Sequence, residues 1–250
     1  MRKTITPSVR KDITPITFSA QKTDKANAMI TGLFFITATL TAIIGLKLYD
    51  PMLATSDYLH QASLHPNQIT LGAIFELLVI AANCGTAIML FPYLKAYNER
   101  LAFGYFTFRV FECVSIFLGV VSVLSLLTLS QSYHSGTNPD HTLYNAIGTI
   151  AKASHDWTFL LGPKFFLGIN TFIYSYVFFR TGLVPRKLSV LGMTGAALVF
   201  INSLFTMFGS ISLFSAVDIA TVFPIAIYEM ILAGWLIAKG FSIQYHSRYN

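Results

Sequence analysis

The fold is decided by the stretch from Leu101 to Leu129, which reads LAFGYFTFRVFECVSIFLGVVSVLSLLTL. This stretch is long enough to cross a lipid bilayer, which requires about 20 apolar residues. It nevertheless carries Arg109 and Glu112 inside the apolar run. Because opposite charges three residues apart lie on one face of a helix, the two side chains can neutralise each other away from water. The stretch therefore predicts a membrane-spanning helix with a buried ion pair.

Polar and small residues extend this face along the predicted helix. They recur at helical spacing and are Tyr105, Arg109, Glu112, Ser115, Gly119 and Ser122. Lipid would leave their polar groups without hydrogen-bond partners. We therefore expect this face to contact other helices or a cavity, and it marks the position of a candidate site.

The composition predicts an all-α integral membrane protein. Of its 250 residues 54% are hydrophobic and only 11% are charged, whereas soluble domains are roughly 25% charged. The formal net charge is +6, and 13 of the 17 Lys and Arg residues fall in segments assigned to one side of the membrane. This is the positive-inside pattern, and it argues against a nucleic acid partner. Both cysteines lie in predicted spans, which excludes a disulfide framework or a CxxC site.

Six apolar segments predict six transmembrane helices with both termini in the cytoplasm. Their approximate bounds are 28–48, 70–94, 101–129, 157–179, 188–208 and 219–238. We expect one transmembrane domain over residues 27–240, preceded by a polar, basic cytoplasmic tail (1–26) and followed by a cytoplasmic C-terminal tail (241–250). The predicted location is the cytoplasmic (inner) cell membrane, which the chain crosses several times.

Other segments indicate where the helices break and what connects them. Pro92 is predicted to end the second span, and Gly162-Pro163-Lys164 should kink the fourth, because proline removes a backbone hydrogen bond. The outer loop after the third span is expected over about Ser130–Asp156. Apolar residues between Leu143 and Ala151 recur there at helical spacing, which predicts a short amphipathic helix on the outer surface.

Five ionisable residues fall within the predicted spans, namely Glu76, Arg109, Glu112, Lys164 and Glu229. At about 1.5 Å of rise per residue they form a ladder across about half of the membrane, with Glu76 and Lys164 towards the outside. Residues at similar depth in the membrane are expected to form ion pairs. This predicts a pair of Glu76 with Lys164, and a pair of Arg109 with Glu112 or Glu229. Three acids and two bases leave one carboxyl over, for which Glu76 and Glu229 are the candidates.

These charges have two interpretations. A lone charge at the bilayer centre costs about 2.5–3.5 kcal/mol, so the residues can be interhelical ion pairs that only fix packing. Alternatively they form a binding site, which is favoured by the backbone because Lys164 follows a Gly-Pro break and Glu229 follows Pro224 by five residues. Broken helices line the cavities of transporters.

Five histidines fall on the predicted outer side and are His60, His65, His134, His141 and His155. Histidine and carboxylate ligate transition metals, and the adjacent His155 and Asp156 are the candidates for such a site. No HExxH or other close ligand spacing is present in the sequence. The sequence assigns no catalytic residue and no cofactor.

The segments ERLAFGYFTFRVFECV in the third span and FLLGPKFFLGINTFIYSYVFFRTGLVPRKLSVLGMTGA across the fourth and fifth resemble a known family. The resemblance is to the bacterial multi-helix membrane proteins of domain-of-unknown-function family 4386. It is carried by Arg109-x-x-Glu112 and by the cytoplasmic turn from Arg180 to Arg186. It implies a six-helix membrane domain and no established activity, so no functional residue can be carried over.

Three functions are compatible with the sequence. The first is a small-molecule or proton-coupled binding or transport protein in which the buried charged ladder lines the route. The second is a non-catalytic accessory, sensory or assembly protein whose ion pairs are structural. The third is a membrane-embedded, metal-dependent enzyme that uses the outer His and Asp side chains. Besides the lipid bilayer, the partners left open are a small molecule or proton, another membrane protein and a second copy of the chain.

Overall fold

The structure, a computed structural model, describes residues 20–136 and 140–242. Within these ranges the chain is helical and contains no strand. The α-helices are α1 (Ala20–Leu48), α2 (Asp50–Leu53), α3 (Tyr58–Leu64), α4 (Pro66–Tyr97), α5 (Glu99–Ser135), α6 (His141–Leu160), α7 (Leu167–Thr181), α8 (Arg186–Met207) and α9 (Ala216–Ala238). A π-helical segment, Leu161–Phe166, joins α6 to α7. Most of the predicted N-terminal tail and nearly all of the C-terminal tail lie outside the described residues.

Five of the described helices, α1, α4, α5, α8 and α9, are each long and apolar enough to cross a membrane. Their outward faces are strongly apolar. On α5 alone, Phe103, Phe111, Phe117 and Leu118 each expose at least half of their side-chain surface. A soluble monomer rarely exposes such a contiguous apolar surface, so these side chains face lipid. The chain is a multi-pass membrane protein.

The fourth predicted span is divided between α6, the π-helical segment and α7, which follow one another without a gap. Pro163 lies in the π-helical segment. It lacks a backbone N–H, and its ring would clash with the carbonyl one α-helical turn earlier. A wider π turn moves that carbonyl away from the ring. The expected break at Gly162–Lys164 is therefore present as a widened turn, and the helix continues through it.

The long helices pack in a closed ring. α1 contacts α4, α4 contacts α5, and α5 contacts α6, the π-helical segment and α7. α7 then contacts α8, α8 contacts α9, and α9 returns to α1. Between α1 and α4 the short helices α2 and α3 fold over one end of the ring, where α3 packs on α5. The Tyr58 hydroxyl of α3 donates to the Asn145 carbonyl of α6 at 3.1 Å.

Helices occupy most of the predicted outer loop over Ser130–Asp156, so the unstructured connection is shorter than expected. α5 continues to Ser135 and α6 begins at His141, which leaves residues 136–140 as the connection. Asp140 starts α6 because its carboxylate accepts hydrogen bonds from the N–H groups of Thr142 and Leu143 at 3.0 and 3.2 Å. The apolar residues from Leu143 to Ala151 lie within this 20-residue helix.

Two other helix boundaries differ from the sequence prediction. α4 passes through Pro92 and ends at Tyr97, so the prediction that Pro92 ends this helix is wrong. The turn to α5 is the single residue Asn98, whose side chain accepts a hydrogen bond from the Leu101 N–H at 3.1 Å. α1 begins at Ala20, which makes residues 20–26 helical although the sequence predicts them to be tail.

Gly192 sets the distance of α8 from its neighbours. A β-carbon at this position would collide with the Tyr228 ring of α9 and with the Ser175 hydroxyl of α7. The hydroxyls of Ser175 and Tyr228 are themselves hydrogen-bonded at 2.9 Å. Small residues permit this close approach of membrane helices, and Gly192 therefore holds α7, α8 and α9 together.

The variant Gly192→Ala is expected to lower the free energy of unfolding by about 1–3 kcal/mol, because the added methyl group overpacks the junction. Gly234→Ala is the matched control, since nothing lies within 4 Å of a β-carbon at Gly234. Alanine favours helix by about 1 kcal/mol over glycine, so this variant should be neutral or slightly more stable. Unfolding in mixed micelles by added dodecyl sulfate measures the free energy of unfolding of both variants. Equal changes in the two variants would contradict the packing role of Gly192.

Candidate functional site

The polar face of α5 points into the helix bundle. Tyr105, Arg109, Glu112, Ser115 and Gly119 are buried, while the outward residues between them are exposed and apolar. This arrangement follows from the sequence pattern, because the bundle interior is the place where polar side chains can find partners in a membrane. The face contacts side chains from α4 and α7.

Glu112 is the centre of a hydrogen-bond network that joins three helices. Arg109 Nη1, one turn earlier on α5, lies 3.2 and 3.1 Å from the two carboxylate oxygens. Asn83 of α4 donates to Oε1 at 3.0 Å, and Asn170 of α7 donates to Oε2. All four side chains are at least 94% buried. Both oxygens of this carboxylate therefore have donors, and the pairing of Arg109 with Glu112 agrees with the sequence prediction.

The Arg109 guanidinium is only partly used by this ion pair. Its Nε and Nη2 atoms are buried and have no hydrogen-bond partner among the described residues. The guanidinium carbon lies 5.8 Å from the ring centroid of Tyr105, a distance suited to a cation–π interaction. Arg109 is thus held by one carboxylate and one aromatic ring on the same helix.

Lys164 does not pair with Glu76, and that predicted pair is wrong. The Lys164 amine, in the π-helical segment, instead forms a buried ion pair with Asp218 in the first turn of α9. Asp218 also accepts hydrogen bonds from the Asn202 side chain and from the Phe214 N–H, the latter at 2.8 Å. Helical spacing predicts the depth and face of a side chain but not which helix lies opposite, which is why the depth argument chose Glu76.

Asp218 changes the charge count at the membrane-buried site. Four acids (Glu76, Glu112, Asp218 and Glu229) now stand against two bases. The bases are engaged by Glu112 and Asp218. Within the described ranges, neither Glu76 nor Glu229 forms an ion pair within 4.0 Å, and neither accepts a side-chain hydrogen bond. Two carboxyls are therefore left over, where the sequence predicted one.

Both remaining carboxyls line one cavity of about 270 Å³. Its walls come from α1, α4, α5, α9 and the region around the π-helical segment, and they are mainly apolar. Glu76 and Glu229 contribute from α4 and α9, whereas Lys164 and Glu112 reach the wall as members of ion pairs. The volume is near the lower end of the range of small-molecule sites. The structure thus brings four of the five predicted site residues to one cavity, and Arg109 lies directly behind Glu112.

A second, narrow space of about 10 Å³ lies beside the Glu76 end of the cavity, shares Glu76 and Phe159 with its lining, and is bordered by Tyr49 and His155. Its volume suits one water molecule at most. The Tyr49 hydroxyl is buried without a hydrogen-bond partner among the described residues. Burial, and to a lesser extent the Glu76 carboxylate, raise the pKa of Tyr49 above its ordinary value. The hydroxyl therefore stays protonated and can donate a hydrogen bond.

The predicted metal candidates His155 and Asp156 contact each other. His155 Nδ1 lies 3.3 Å from the Asp156 carboxylate, and the His155 side chain is 7% exposed. Among the described residues no three or more His, Cys, Asp or Glu side chains are close enough to hold one metal ion. His60 and His134 approach each other, with 5.8 Å between ring centroids, while His141 lies against Tyr133.

A buried tyrosine cluster lies beside the Arg109–Glu112 pair, and only Tyr105 of it was singled out from the sequence. Tyr174 of α7 and Tyr228 of α9 stack at 6.2 Å between centroids, and Tyr105 meets Tyr174 at 5.8 Å. All three are fully buried. Tyr174 lies one helical turn after Asn170, so the helical spacing of the polar residues Asn170, Thr171, Tyr174 and Ser175 was the available signal.

Breaking the Lys164–Asp218 pair should destabilise the fold strongly. Lys164→Met leaves the Asp218 carboxylate buried without its counter-ion, at an expected loss of about 3–5 kcal/mol. The double variant Lys164→Met with Asp218→Asn removes both charges. It should lose clearly less stability than Lys164→Met alone, because the two sites are coupled. Unfolding in mixed micelles gives each value.

The exposed pair of Lys47 and Asp50, at 2.8 Å, is the matched control for this test. Lys47→Met is expected to change the stability by less than about 1 kcal/mol, because solvent screens exposed ion pairs. Equal losses in the Lys164→Met and Lys47→Met variants would contradict the buried pair.

The comparisons with known proteins identify a family. The family model described as "Domain of unknown function (DUF4386)" matches residues 30–240, a range that includes every member of the buried site. No curated protein and no solved structure matches the chain. The resemblance drawn from the third to fifth predicted spans is thereby confirmed. The chain belongs to the DUF4386 family, whose function is unknown.

Proposed function

We propose that this protein binds a small molecule in its intramembrane cavity and couples binding or transport to protonation of Glu76 and Glu229. The observation that carries the proposal is the cavity of about 270 Å³ with two carboxyls that have no ion-pair partner in the described part of the chain. Structural ion pairs do not need such a cavity. A binding site does need one, together with a few polar groups that fix the ligand.

The proposed topology has six membrane crossings. α1, α4, α5, α8 and α9 provide five, and the continuous stretch of α6, the π-helical segment and α7 provides the sixth. Both termini then lie in the cytoplasm, which is supported by the clustering of Lys and Arg in the terminal segments and at the helix ends that flank the turns after α4 and α7. The membrane in this proposal is the cytoplasmic membrane of a bacterial cell.

Proton coupling is supported by the environment of the two carboxyls. An unpaired charge deep in a membrane costs about 2.5–3.5 kcal/mol, so each carboxyl gains by taking up a proton or by meeting a cationic group. A path for protons to Glu76 is suggested by the narrow space beside Tyr49 and His155, because His155 contacts the half-exposed Asp156. The titratable groups around this path are Tyr49, Glu76, His155 and Asp156.

Movement of a ligand, beyond its binding, is supported by the backbone around the cavity. Pro163 and Lys164 of the π-helical segment line it, and Pro224 lies inside α9 between the lining residues Val222 and Ile225. Interrupted helices at mid-membrane are the elements that line substrate sites in many transporters. π-helical turns are frequently found at functional sites.

The accessory or assembly function remains the second candidate, and one observation favours it. Both buried bases are neutralised within the protein, Arg109 by Glu112 and Lys164 by Asp218. The Lys164–Asp218 pair and the hydrogen bonds from Asn83 and Asn170 to Glu112 connect helices and need no ligand. Recovery of the purified protein with a stoichiometric membrane partner, and without a small-molecule adduct, would favour this candidate.

Native mass spectrometry of the protein released gently from lipid nanodiscs tests small-molecule binding. We expect a reproducible adduct in the natural protein and its loss in Ala226→Phe, because the larger side chain fills the cavity that Ala226 lines. Ala220→Phe is the matched control on the same helix, at an exposed position, and it should retain the adduct. An adduct that survives Ala226→Phe, or its absence from the natural protein, would contradict the proposal.

Proton coupling predicts that occupancy of this adduct depends on pH. For each proton exchanged on binding, the apparent dissociation constant should change by up to about tenfold per pH unit. The double variant Glu76→Gln with Glu229→Gln should lose that dependence, whereas Glu99→Gln, at an exposed residue paired with Lys95, should keep it. A natural protein whose occupancy is constant from acidic to alkaline pH would exclude coupling through these carboxyls.

A further inference from the structure

We propose that the ligand of this cavity is a small lipophilic cation, in which an ammonium group is joined to an apolar body. This inference rests on the proposed function, because it assigns the chemical class of the molecule that the cavity binds. Three observations lead to it: the charge balance of the site, the apolar walls, and an unused buried hydroxyl beside the aromatic rings at one end.

The charge balance favours a positive ligand. The two bases around the cavity, Arg109 and Lys164, are each held by their own acid. Glu76 and Glu229 then give the cavity an excess of acid on two different walls, α4 and α9. Like charges repel an anion and attract a cation, and the attraction is strengthened where little water screens it. A free phosphate, sulfate or carboxylate is therefore disfavoured.

The walls favour an organic cation over a metal ion. Phe35, Ala38 and Ala42 of α1 contribute an apolar face, and Ile225 of α9 extends it. Hard metal ions prefer six or more oxygen ligands, whereas the unpaired groups here are two carboxylates on separate helices. An apolar body of the ligand can instead cover these walls while its charged group lies near a carboxylate.

The Glu76 end of the cavity is suited to the ammonium group. The Phe159 ring lines both the cavity and the narrow space beside it, and Phe35 lines the cavity. Aromatic faces attract alkylammonium groups, and the Lys164 amine already lies 5.9 Å from the Phe159 ring centroid, so Phe35 is the ring left for the ligand. The Tyr49 hydroxyl borders the same narrow space, is 1% exposed, and has no hydrogen-bond partner among the described residues. It can donate to the Glu76 carboxylate and keep it oriented when the carboxylate is ionised beside the cation.

Three probes of nearly the same shape and different charge test this inference. Benzyltrimethylammonium is the cation, neopentylbenzene is its neutral isostere, and phenylmethanesulfonate is an anion of similar size. Binding of each labelled probe to the full chain in nanodiscs is measured by equilibrium dialysis, with empty nanodiscs as the control for partition into lipid. We expect saturable binding of the cation, at least tenfold tighter than that of the neutral probe, and no binding of the anion.

Matched variants assign the binding to the cavity. Glu76→Gln and Glu229→Gln each preserve side-chain shape and should weaken binding of the cation at least tenfold. Glu99→Gln, at the exposed end of α5, should not change it. Ala226→Phe should abolish binding by occupying the cavity, whereas Ala220→Phe should not, which separates loss of charge from loss of space. A monodisperse elution profile of each variant verifies that it is folded.

The outcomes distinguish this inference from the proposed function. Equal binding of the cation and the neutral probe, both lost in Ala226→Phe, would overturn the cationic ligand and leave the small-molecule site in place. Binding of the anion alone would overturn it as well. Absence of all probe binding would also overturn it, and the adduct seen or not seen by native mass spectrometry would then decide independently whether the cavity binds a small molecule.

Discussion

The Glu112 carboxylate illustrates the constraint on which the rest of the structure depends, since a charge inside a membrane must be satisfied by the protein itself. Donors from α4, α5 and α7 converge on its two oxygens. Asp218 does the same for the other side of the bundle, because it accepts from Lys164 of the π-helical segment, from Asn202 of α8 and from the backbone of Phe214 before α9. Two buried carboxylates therefore fix the relative positions of most of the long helices.

This arrangement makes α1 different from the other long helices. Among the described residues, α1 contributes no side chain to the networks of Glu112 or Asp218, and it is held by packing against α4 and α9. Its contacts there are close, because β-carbons at Gly32 and Gly45 would lie 2.8 Å from the Ala233 carbonyl oxygen and 3.1 Å from Glu76 Oε1. A displacement of α1 would open the cavity along its apolar wall without breaking a buried ion pair.

The sequence predicts the parts of the site that depend on one helix. The three-residue spacing of Arg109 and Glu112 places both on the inward face of α5, and the structure joins them. The partner of Lys164 could not be obtained in this way, because Asp218 precedes the last apolar segment and resembles a loop residue. Asp218 lies in the membrane site because α9 begins before the predicted start of the span at residue 219. Ser215 caps this earlier start by accepting a hydrogen bond from the Asp218 N–H. Helix ends were misjudged for a related reason, since polar residues such as those of Ser130–Ser135 continue a helix that apolar residues have already nucleated.

The remaining question is why a small membrane protein should carry Glu76 and Glu229 at all. Glutamine would fill the same space at a lower desolvation cost, and a purely structural role needs no group that can ionise. Hydrogen bonding accounts for Glu112 and Asp218, because each oxygen of both carboxylates accepts at least one hydrogen bond. In the described part of the chain no side chain supplies such donors to Glu76 or Glu229. Apart from the more distant charge of Arg109, which acts on Glu229, their stabilisation has to come from a proton, from water or from a molecule in the cavity. The state of the two carboxyls is then linked to what occupies the space between them.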